Sequence, residues 1–353
     1  YRVVFCLLYG DCLSGSNPIH FQLIRTLMII HFHFHFKTTG VTRSVESILE
    51  PLNVLEETKV FGYGVSKHKI SFYKLLHVLY SDKKTIVHTH RNNEMLLALI
   101  LRFLGGRFHL LRTRHAESTP SGLTNFLMSK ADQCISLSGT MAQNLNLKST
   151  VIAHGVDPDR LTCDVKKRAT NPRKISVVGR IRKAKGQRDV MEAIAPLLSQ
   201  NPNWEIQFIG TIDSPAYADE IRAIATTAQV ENQIQFVSQT DQIEYYYQES
   251  TAVVVASYSE GFSLVCLEAM ACGSTTIATE QVGIHSEVIT NGVDGFLYPK
   301  GLVAALRTIL EQVIRTPEKI NPKTARQTIL DHWSVTAAAQ KLFEIYSKLR
   351  KDQ

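Results

Sequence analysis

Two carboxylates flank a short turn in the segment SEGFSLVCLEAMACG, residues 259–273. Glu260 lies in the turn, and Glu268 follows on a segment with helical apolar spacing that stops at Gly273. The run before them, TAVVVAS (251–257), is short and rich in valine, which is typical of a buried strand. The pattern predicts a strand, a tight turn and a helix. If a ligand lies over the helix N-terminus, the two acids would lie at its opposite ends.

Two cations occupy a second loop of the same kind, in KISVVGRIRKAKGQRDVMEAI (174–194). The pattern predicts a strand, a loop and an amphipathic helix, so Arg180 and Lys185 fall at the carboxyl edge of a sheet, where open α/β folds bind ligands. Two cations beside a helix N-terminus can hold a diphosphate. The segment has no GxxxxGK(S/T) pattern and is therefore not a Walker A loop. A solvated basic loop is the alternative interpretation.

These side chains require a sheet to position them, and short apolar strands alternate with helical patterns along nearly the whole chain. This alternation is typical of a parallel α/β sheet covered by helices. About twelve strands are too many for one open sheet of usual size, so we expect two α/β domains. The predicted strands are 29–36, 53–61, 85–89, 108–113, 133–137 and 150–153 in the first half, and 174–178, 204–209, 233–237, 252–256, 275–278 and 296–298 in the second.

The chain of 353 residues divides into four predicted segments. Residues 28–155 and 156–333 are expected to form two Rossmann-like domains, joined by a charged linker without apolar periodicity at 154–174. Residues 1–27 fit no clear βα unit and are expected to be an irregular extension. Residues 334–353 have the apolar spacing of an amphipathic helix and end in a basic run.

The composition is that of a globular protein, with 44% hydrophobic and 20% charged residues. The 39 Lys and Arg against 32 Asp and Glu give a net charge of +7, which favours anionic partners such as a nucleotide or a membrane surface. The basic residues are dispersed and form no zinc-finger or RNP pattern, so nucleic acid is not an expected partner. The six cysteines form no CxxC pair and favour a reducing cytoplasm. No apolar run approaches the ~20 residues that span a bilayer, and residues 3–9 do not resemble a signal peptide.

The repeat HFHFHF (31–36) places His31, His33 and His35 on one face of a strand. Histidines are common zinc ligands, but alternate residues of one strand lie about 7 Å apart, which is too far for all three to bind one ion without a bulge. The phenylalanines between them can be buried on the opposite face. We therefore expect a helix-covered parallel strand here and no metal site.

The segments GRIRKAKG, SEGFSLVCLEAMACG, QVGIHSEVI and NGVDGFLYP together resemble the retaining glycosyltransferases of family 4, the glycosyl transferases group 1, over about residues 28–350. The resemblance implies a GT-B fold, in which two Rossmann-like domains face each other across a cleft and the final helix crosses back to the first domain. It implies that Glu260 contacts the donor sugar and that Glu268 binds the ribose hydroxyls. It also implies that Arg180 and Lys185 neutralise the diphosphate. No metal or other cofactor is expected, because the two cations and the helix dipole can offset the charge of the leaving diphosphate.

The resemblance extends to further residues of the cleft. FKTTGVTRSV matches a glycine loop that faces the donor, with Gly40 as the matching glycine, and HLLRTRHAEST matches the segment whose histidine faces the reacting sugar, here His115. A histidine of a surface loop is the alternative interpretation of His115. QVGIHSE has one glycine before Glu287 where the family has a pair, so the backbone is expected to approach the sugar differently there. The expected donor-binding residues are Gly40, Arg180, Lys185, Glu260, Gly261, Phe262, Ser263, Leu264 and Glu268.

Two neighbouring features have two interpretations each. Arg112 and Arg114 flank the His115 segment by strand alternation, so one of them could face an anionic acceptor while the other supports the scaffold. Asn92 is either the N-cap of a long helix, with Glu94 in its first turn, or a family residue of the segment HRNNEM.

HRNNEM, FKTTGVTRSV and HGVDPDR together resemble the subgroup that transfers mannose or related sugars to the lipopolysaccharide core. The resemblance implies cytoplasmic transfer of a hexose from a nucleotide-diphosphate sugar to a glycan or glycolipid acceptor. The basic residues Lys348, Arg350 and Lys351 add an expected peripheral contact with an anionic membrane. A nucleotide-sugar epimerase of the same fold and a non-catalytic nucleotide-sugar-binding protein are the alternatives. The form EGFSLVCLEAMACG favours the transferase.

Overall fold

The computed structural model describes residues 28–351 apart from 37–38, 82–83, 117, 163–172 and 318–320. The predicted extension 1–27 and most of the predicted linker therefore lie outside the described residues. Two six-stranded sheets, both parallel and both packed against helices, make up the described chain. The predicted α/β class is confirmed.

The first sheet is built from the N-terminal part of the described chain. Its strands are β1 (Ile29–Phe34), β2 (Thr58–Tyr63), β3 (Ile86–Thr89), β4 (His109–Arg114), β5 (Gln133–Ser136) and β6 (Ser149–Val151), in the order β2-β1-β3-β4-β5-β6. The helices among them are α1 (Gly40–Leu55), α2 (Phe72–Ser81), α3 (Asn92–Phe103), α4 (Gly122–Met128) and α5 (Gly139–Gln143). Because every strand pair is parallel, the carboxyl ends of the strands meet at one edge.

The second sheet repeats this arrangement. Its strands are β7 (Arg173–Val178), β8 (Trp204–Ile209), β9 (Ile234–Val237), β10 (Ala252–Val255), β11 (Thr275–Thr279) and β12 (Phe296–Tyr298), in the order β12-β11-β10-β7-β8-β9. The helices of this part are α6 (Gln187–Leu198), α7 (Pro215–Thr227), α8 (Ile243–Glu249), α9 (Leu264–Ala271), α10 (His285–Val288), α11 (Val303–Arg315) and α12 (Pro322–His332). A last helix, α13 (Val335–Lys351), follows them.

One strand boundary differs by more than two residues from its prediction. The strand expected at 53–61 begins only at Thr58, because α1 continues to Leu55. Leu49 and Leu52 are fully buried on one face of that helix. Their spacing of three residues keeps this apolar stretch helical, although its valine and leucine content also suits a strand.

Helix α13 packs on the first sheet although it follows the second in sequence. Its apolar face is part of a hydrophobic core shared with the first half. The core comprises Ala338, Ala339, Leu342 and Tyr346 from α13 and Ile29, Ile48, Leu52, Ile86, Leu111, Ile135 and Ile152 from the first half. The Tyr346 hydroxyl lies 2.7 Å from Nδ1 of His88 on β3. The predicted crossing of the final helix to the first half is confirmed.

The two segments that join the sheets run side by side. The Val156 N–H donates to the Trp333 carbonyl at 2.9 Å, and the Val335 N–H donates to the Val156 carbonyl at 3.0 Å. A Cβ at Gly155 would lie 2.2 Å from the Ser334 carbonyl oxygen, so only glycine allows this approach. Both crossings therefore pass through one paired segment between the sheets.

Arg350 does not have the role predicted for it. Its Nη1 lies 2.6 Å from Oε2 of Glu56, its Nε donates to the Lys84 carbonyl at 2.8 Å, and its side chain is 6% exposed. The predicted membrane contact is wrong for Arg350, because its charge is paired inside the protein; Lys348 and Lys351 are exposed. Within the described residues, no helix is long and apolar enough to cross a bilayer.

Candidate functional site

A cavity of about 420 Å³ lies between the carboxyl edges of the two sheets. The start of α1 lines one side of it, and the ends of β7 and β8 together with the first turn of α9 line the other. Gly40, Arg180, Leu264 and Glu268, which were predicted from separate segments, all face this one cavity. The sheet edges thus bring the predicted ligand residues of both halves together.

Glu268 lies on α9 and is 8% exposed. The hydroxyl of Tyr247 donates to its Oε2 at 2.8 Å, and Nη2 of Arg160 lies 3.9 Å from Oε1. Burial, with the nearby carboxylate of Glu268, raises the pKa of Tyr247, so its hydroxyl remains a donor. A carboxylate has about four acceptor positions. Glu268 is therefore held in place by Tyr247 and keeps acceptor capacity for hydroxyl groups in the cavity.

Lys185 and Glu260 form a close ion pair. The Lys185 Nζ lies 2.5 Å from Oε1 of Glu260, and the hydroxyl of Ser257 donates to the same oxygen at 2.5 Å. The two side chains are 16% and 12% exposed. Lys185 precedes Gly186, whose φ is +66°, in a short 3-10 turn, and its aliphatic part lies beside Gly179, a residue that lines the cavity. The two residues expected to bind different parts of one ligand thus also bind each other.

Arg180 is the most accessible cation of the predicted set. Its Nη1 lies 3.2 Å from Oδ2 of Asp213, and its side chain is 58% exposed. Its carbonyl accepts a hydrogen bond from Nε2 of Gln187 at 3.0 Å, which fixes the loop to the start of α6. Arg43 faces the same cavity from α1. The cavity therefore has positive side chains on both sides.

The turn between Glu260 and α9 has unusual backbone geometry. Ser263 has φ +83° and ψ +66°, the left-handed region that a residue with a Cβ adopts at a cost of about 1–3 kcal/mol. The His285 ring holds the Ser263 side chain in place. Its Nε2 lies 2.8 Å from the Ser263 hydroxyl, and its Nδ1 lies 2.7 Å from the Thr279 carbonyl. Because only an N–H can pair with that carbonyl, Nε2 of His285 accepts from Ser263. Phe262 is buried, and Gly261 approaches the His115 carbonyl so closely that a Cβ would lie 2.4 Å from it.

His115 lies where the two halves meet, directly after β4. Its two ring nitrogens face other imidazoles: Nε2 lies 3.0 Å from Nδ1 of His90, and Nδ1 lies 3.2 Å from Nε2 of His154. Burial lowers the pKa of His115 well below its usual value, so the ring is neutral at pH 7. A sugar hydroxyl that binds the His115 ring nitrogens would have to replace one of these two partners.

Arg112 and Arg114 lie two residues apart on β4, which places them on the same face of the strand, and both are buried. The Arg112 Nη2 donates to Oδ1 of Asn92 at 3.3 Å, whereas its buried Nη1 has no hydrogen-bond partner. Arg114 donates to the Ser118 carbonyl. The side-chain amide of Asn92 donates to Thr124, and the N-cap of α3 is Arg91. The N-cap prediction for Asn92 is therefore wrong, since its amide connects α3 to β4 and α4 instead.

Glu287 contacts the other half of the molecule. Its Oε1 accepts a hydrogen bond from the backbone N–H of Gly139, at the start of α5, at 3.1 Å. Burial raises the pKa of this carboxyl group. Gly283, whose φ is +55°, leaves no room for a side chain because a Cβ would lie 2.9 Å from the Phe262 carbonyl oxygen.

The histidine-rich strand β1 is covered by helices as predicted. His31, Phe32 and His33 are fully buried, and β1 lies between β2 and β3. Within the described residues, one group of three histidines has ring nitrogens close enough to hold a metal ion, and it joins His31 to His88 on β3 and to His90 directly after β3. The sequence pattern grouped histidines along β1 alone, whereas the sheet brings His31 close to histidines that are distant in the sequence.

Several residues of this region were missed by the sequence analysis. They are Arg43, Ser257, Asp213, Tyr247 and His285 around the cavity, and His90 and His154 beside His115. His90, His115 and His154 each follow a strand of the same parallel sheet at its carboxyl end, and this shared position is the signal that could have grouped them. Nothing in the sequence marks Tyr247 or Asp213.

Known proteins with similar sequences include a family whose matching segment contains residues of this site. Residues 162–327 match the family described as glycosyl transferases group 1. The chain is 29% identical over 286 residues to the lipopolysaccharide core biosynthesis mannosyltransferase LpsB of Rhizobium meliloti, covering 76% of this chain and 81% of LpsB. It is 26% identical over 348 residues to the corresponding enzyme LpcC of Rhizobium leguminosarum bv. viciae, covering 93% of this chain and 98% of LpcC.

The fold has solved counterparts. The structure of Anabaena HepE in complex with UDP-glucose matches with a TM-score of 0.75 at 18% identity, over 91% of this chain and 100% of HepE. The matched family segment contains Arg180, Lys185, Glu260 and Glu268, and the structural match extends over both sheets. Residues 162–327 therefore match a glycosyl transferases group 1 domain, and the described chain has a GT-B fold. The protein is a glycosyltransferase.

Proposed function

We propose that the protein is a retaining hexosyltransferase that moves a mannose-like sugar from a nucleotide diphosphate to a glycan or glycolipid acceptor, in the synthesis of lipopolysaccharide core or a related surface polysaccharide. The observation that carries the proposal is the cavity between the sheets, which Gly40, Arg180 and Glu268 line and beside which Lys185 binds Glu260. The similarity to two lipopolysaccharide core mannosyltransferases supports the sugar and the acceptor class.

The arrangement suits a nucleotide sugar because it offers a different kind of group to each part of that ligand. Glu268 offers acceptors to ribose hydroxyls, and the first turn of α9 offers N–H groups that lack intrahelical partners to the phosphates. The Lys185 ammonium has three N–H donors, so it can keep its contact with Glu260 and also donate to a phosphate oxygen. Glu260 would then lie next to the sugar.

The proposed reaction requires no metal ion and no other cofactor. Arg180 and Lys185 supply positive charge where the diphosphate leaves, and preorganised charges of this kind stabilise a developing anion. Transfer is therefore expected to continue in the presence of EDTA.

The donor site predicts distinct effects of two substitutions. Glu268→Ala should weaken binding of a nucleoside diphosphate, and Lys185→Ala should slow transfer, each by roughly ten- to a hundredfold, since a charge-assisted hydrogen bond contributes about 1.5–3 kcal/mol. Binding is measured as thermal stabilisation by nucleoside diphosphates, and transfer is measured with a nucleotide sugar and acceptor in EDTA. The matched control is Lys183→Ala, an exposed lysine of the same 3-10 turn.

A different experimental result would contradict each part of the proposal. Nucleoside diphosphate binding at the wild-type level in both variants would overturn the donor site, and activity lost in EDTA but restored by Mn²⁺ would overturn the metal-free reaction. Epimerised donor formed without acceptor would favour the epimerase. Binding without any turnover would favour a binding protein. Nuclear magnetic resonance of the product decides whether the anomeric configuration is retained.

The arginines of the first half support an acceptor with an anionic group. Arg112 is 5% exposed, and burial lowers its pKa to about 10. The nearby Glu94 carboxylate accepts hydrogen bonds from the backbone N–H groups of Phe34, His90 and Arg91, so it is already engaged. A buried guanidinium with an unpartnered Nη1 is costly unless a ligand supplies the counter-charge.

Arg112→Met should therefore act in opposite directions on stability and activity. We expect the melting temperature to rise or stay equal, because an incompletely paired buried charge is removed. Transfer to an anionic acceptor should fall at least tenfold, since charge-assisted hydrogen bonds contribute about 1.5–3 kcal/mol, while donor binding is kept. The control is Arg102→Met, whose guanidinium pairs with Asp132 at 2.6 Å. A large loss of stability with unchanged transfer would contradict the role of Arg112.

Peripheral contact with a membrane is part of the proposal, at a surface different from the basic end of α13. Helices α3 and α4 pack together and expose Leu96, Ile100, Phe103, Leu123 and Phe126. Lys130 lies 5.2 Å over the Phe126 ring, so a positive charge adjoins this apolar surface. Apolar and basic side chains together favour anionic membrane surfaces. In the part of the chain that the structure describes, Cys134, Cys266 and Cys272 are buried and form no disulfide, which supports a cytoplasmic location.

A further inference from the structure

Four imidazoles form a continuous row along the α1 and α13 side of the first sheet. The row consists of His31, His90, His115 and His154, and Ser44 of α1 stands at its end. The successive nitrogen–nitrogen distances are 3.1, 3.0 and 3.2 Å. The Ser44 hydroxyl lies 2.6 Å from Nδ1 of the last ring and 3.1 Å from its Nε2. In every step, Nδ1 of one ring faces Nε2 of the next.

The geometry favours hydrogen bonding in the row over a metal ion. His88 lies beside the row, but both of its nitrogens are engaged at 2.7 Å, by the Tyr346 and Thr113 hydroxyls. A cavity of about 30 Å³ is lined by His31, His88 and His90, and Nε2 of His31 is buried without a hydrogen-bond partner. A metal would have to break contacts that already satisfy His88 and His90.

The neutral state of the rings restricts how protons can be arranged. Burial lowers the pKa of His31 and of His154 to about 3, and it lowers those of His90 and His115 well below the usual value. Each neutral ring has one N–H and one lone pair. If the rings carry their protons on Nδ1, every N–H points toward Ser44; if they carry them on Nε2, every bond reverses. A mixed row would place two N–H groups or two lone pairs against each other.

The free end of the row favours one of the two directions. With protons on Nε2, His31 would bury an N–H donor that has no partner, whereas protons on Nδ1 leave only a lone pair there. Buried N–H groups without a partner are rarer in proteins than under-satisfied acceptors. The Nδ1–H direction is therefore preferred.

We propose that His31 and His90 are positioning residues that fix His115 as the Nδ1–H tautomer through this row. The role in transfer rests on the proposed function, because His115 lies against Gly261 next to Glu260. A substrate oxygen that replaces His154 as the partner of His115 would then meet an N–H donor. The row thus selects a hydrogen-bond acceptor of the sugar or acceptor molecule at this point.

Long-range ¹H–¹⁵N spectra of protein labelled in histidine test the tautomers directly. We expect the four rings of the wild-type row to share the Nδ1–H form. In His31→Leu, which removes a nitrogen two rings away, the signals of His115 should shift toward a mixture of tautomers. The control His33→Leu removes a buried histidine of the same strand that pairs with the Tyr63 carbonyl at 2.8 Å, outside the row, and should leave His115 unchanged. Mixed tautomers in the wild type would overturn the proposal. This part of the test does not depend on whether the His31→Leu variant folds.

Kinetics and metal analysis complete the test. His31→Leu should lower kcat about tenfold with little change in KM, the effect of roughly one hydrogen bond, and His31→Asn, which keeps a donor near the position of Nδ1, should restore most of it. Equal loss in His33→Leu would overturn the positioning role. One equivalent of zinc retained by the wild type and lost in His31→Leu would also overturn it. Absence of any transfer in the wild type would instead contradict the proposed function, while the spectra would still report on the row.

Discussion

Deletion of residues 334–353 is expected to abolish transfer and to remove most of the stability of the first half. Val335, Leu342 and Tyr346 are buried by the crossing of α13. Burial of each large side chain contributes about 1.5–3 kcal/mol. The sum, roughly 5–9 kcal/mol, is comparable with the ~5–15 kcal/mol that stabilises a whole protein. Thermal unfolding and limited proteolysis of the first half measure the loss.

A point variant of α13 tests whether the effect of the deletion comes from lost packing, because it keeps the full length of the chain. Ala339→Asp places a carboxylate in the core beneath α13, which also contains Ile29 and Leu111, and we expect it to reproduce much of the effect of the deletion. Gln340→Asp, on the exposed face one residue later, should be neutral. Turnover unchanged by the deletion would show that the crossing helix is not needed.

Acid is expected to unfold the protein cooperatively between about pH 6 and pH 4, because five buried histidines resist protonation. Burial lowers the pKa of His31 and His154 to about 3 and those of His88, His90 and His115 well below the usual value. Below about pH 6.5 the unfolded chain binds protons that the folded chain does not, so stability is complete above that pH and falls as the pH drops. Five such groups give a slope of about 7 kcal/mol per pH unit, enough to remove a typical stability within two units.

Circular dichroism against pH, combined with proton uptake measured on unfolding, checks this expectation. Uptake of several protons between pH 6 and 4 would support it, and His154→Asn should reduce the uptake by about one proton. The exposed His332 provides the control, since His332→Asn removes a histidine that is accessible in the folded protein. A folded protein at pH 4, or uptake that begins only below pH 4, would contradict the neutral histidine row.

The secondary structure followed from local patterns in the sequence. Runs such as TAVVVAS became the buried strand β10, and the spacing after Gly261 became α9, because short apolar runs and helical periodicity are determined by neighbouring residues. Gly40, Arg180 and Glu268 line one cavity at the sheet edges, since the carboxyl ends of parallel strands are defined by the direction of the chain.

Contacts between distant segments could not be predicted in this way. The 2.5 Å pair of Lys185 and Glu260 joins two loops, and Tyr247 reaches Glu268 from another helix. The histidine row takes its members from positions after or within four strands, so it depends on strand order and register, which the sequence alone leaves open. Arg350 illustrates the same point, because its basic neighbours suggested a surface role while its partner Glu56 lies far away in the chain.

The crossing of α13 also affects the order in which the protein can be completed during synthesis. The first sheet ends with β6 at Val151, but the helix that covers its apolar face begins only at Val335. At a translation rate of about 5–20 residues per second, the ribosome needs roughly 10–40 s to make the intervening chain. During that interval the part of this face that α13 covers in the finished protein is open to chaperones and to other nascent chains, while Ile48 and Leu52 of α1 cover the rest. Conditions that slow translation through the second half are therefore expected to lower the yield of folded protein, although every residue of the first sheet has already been made.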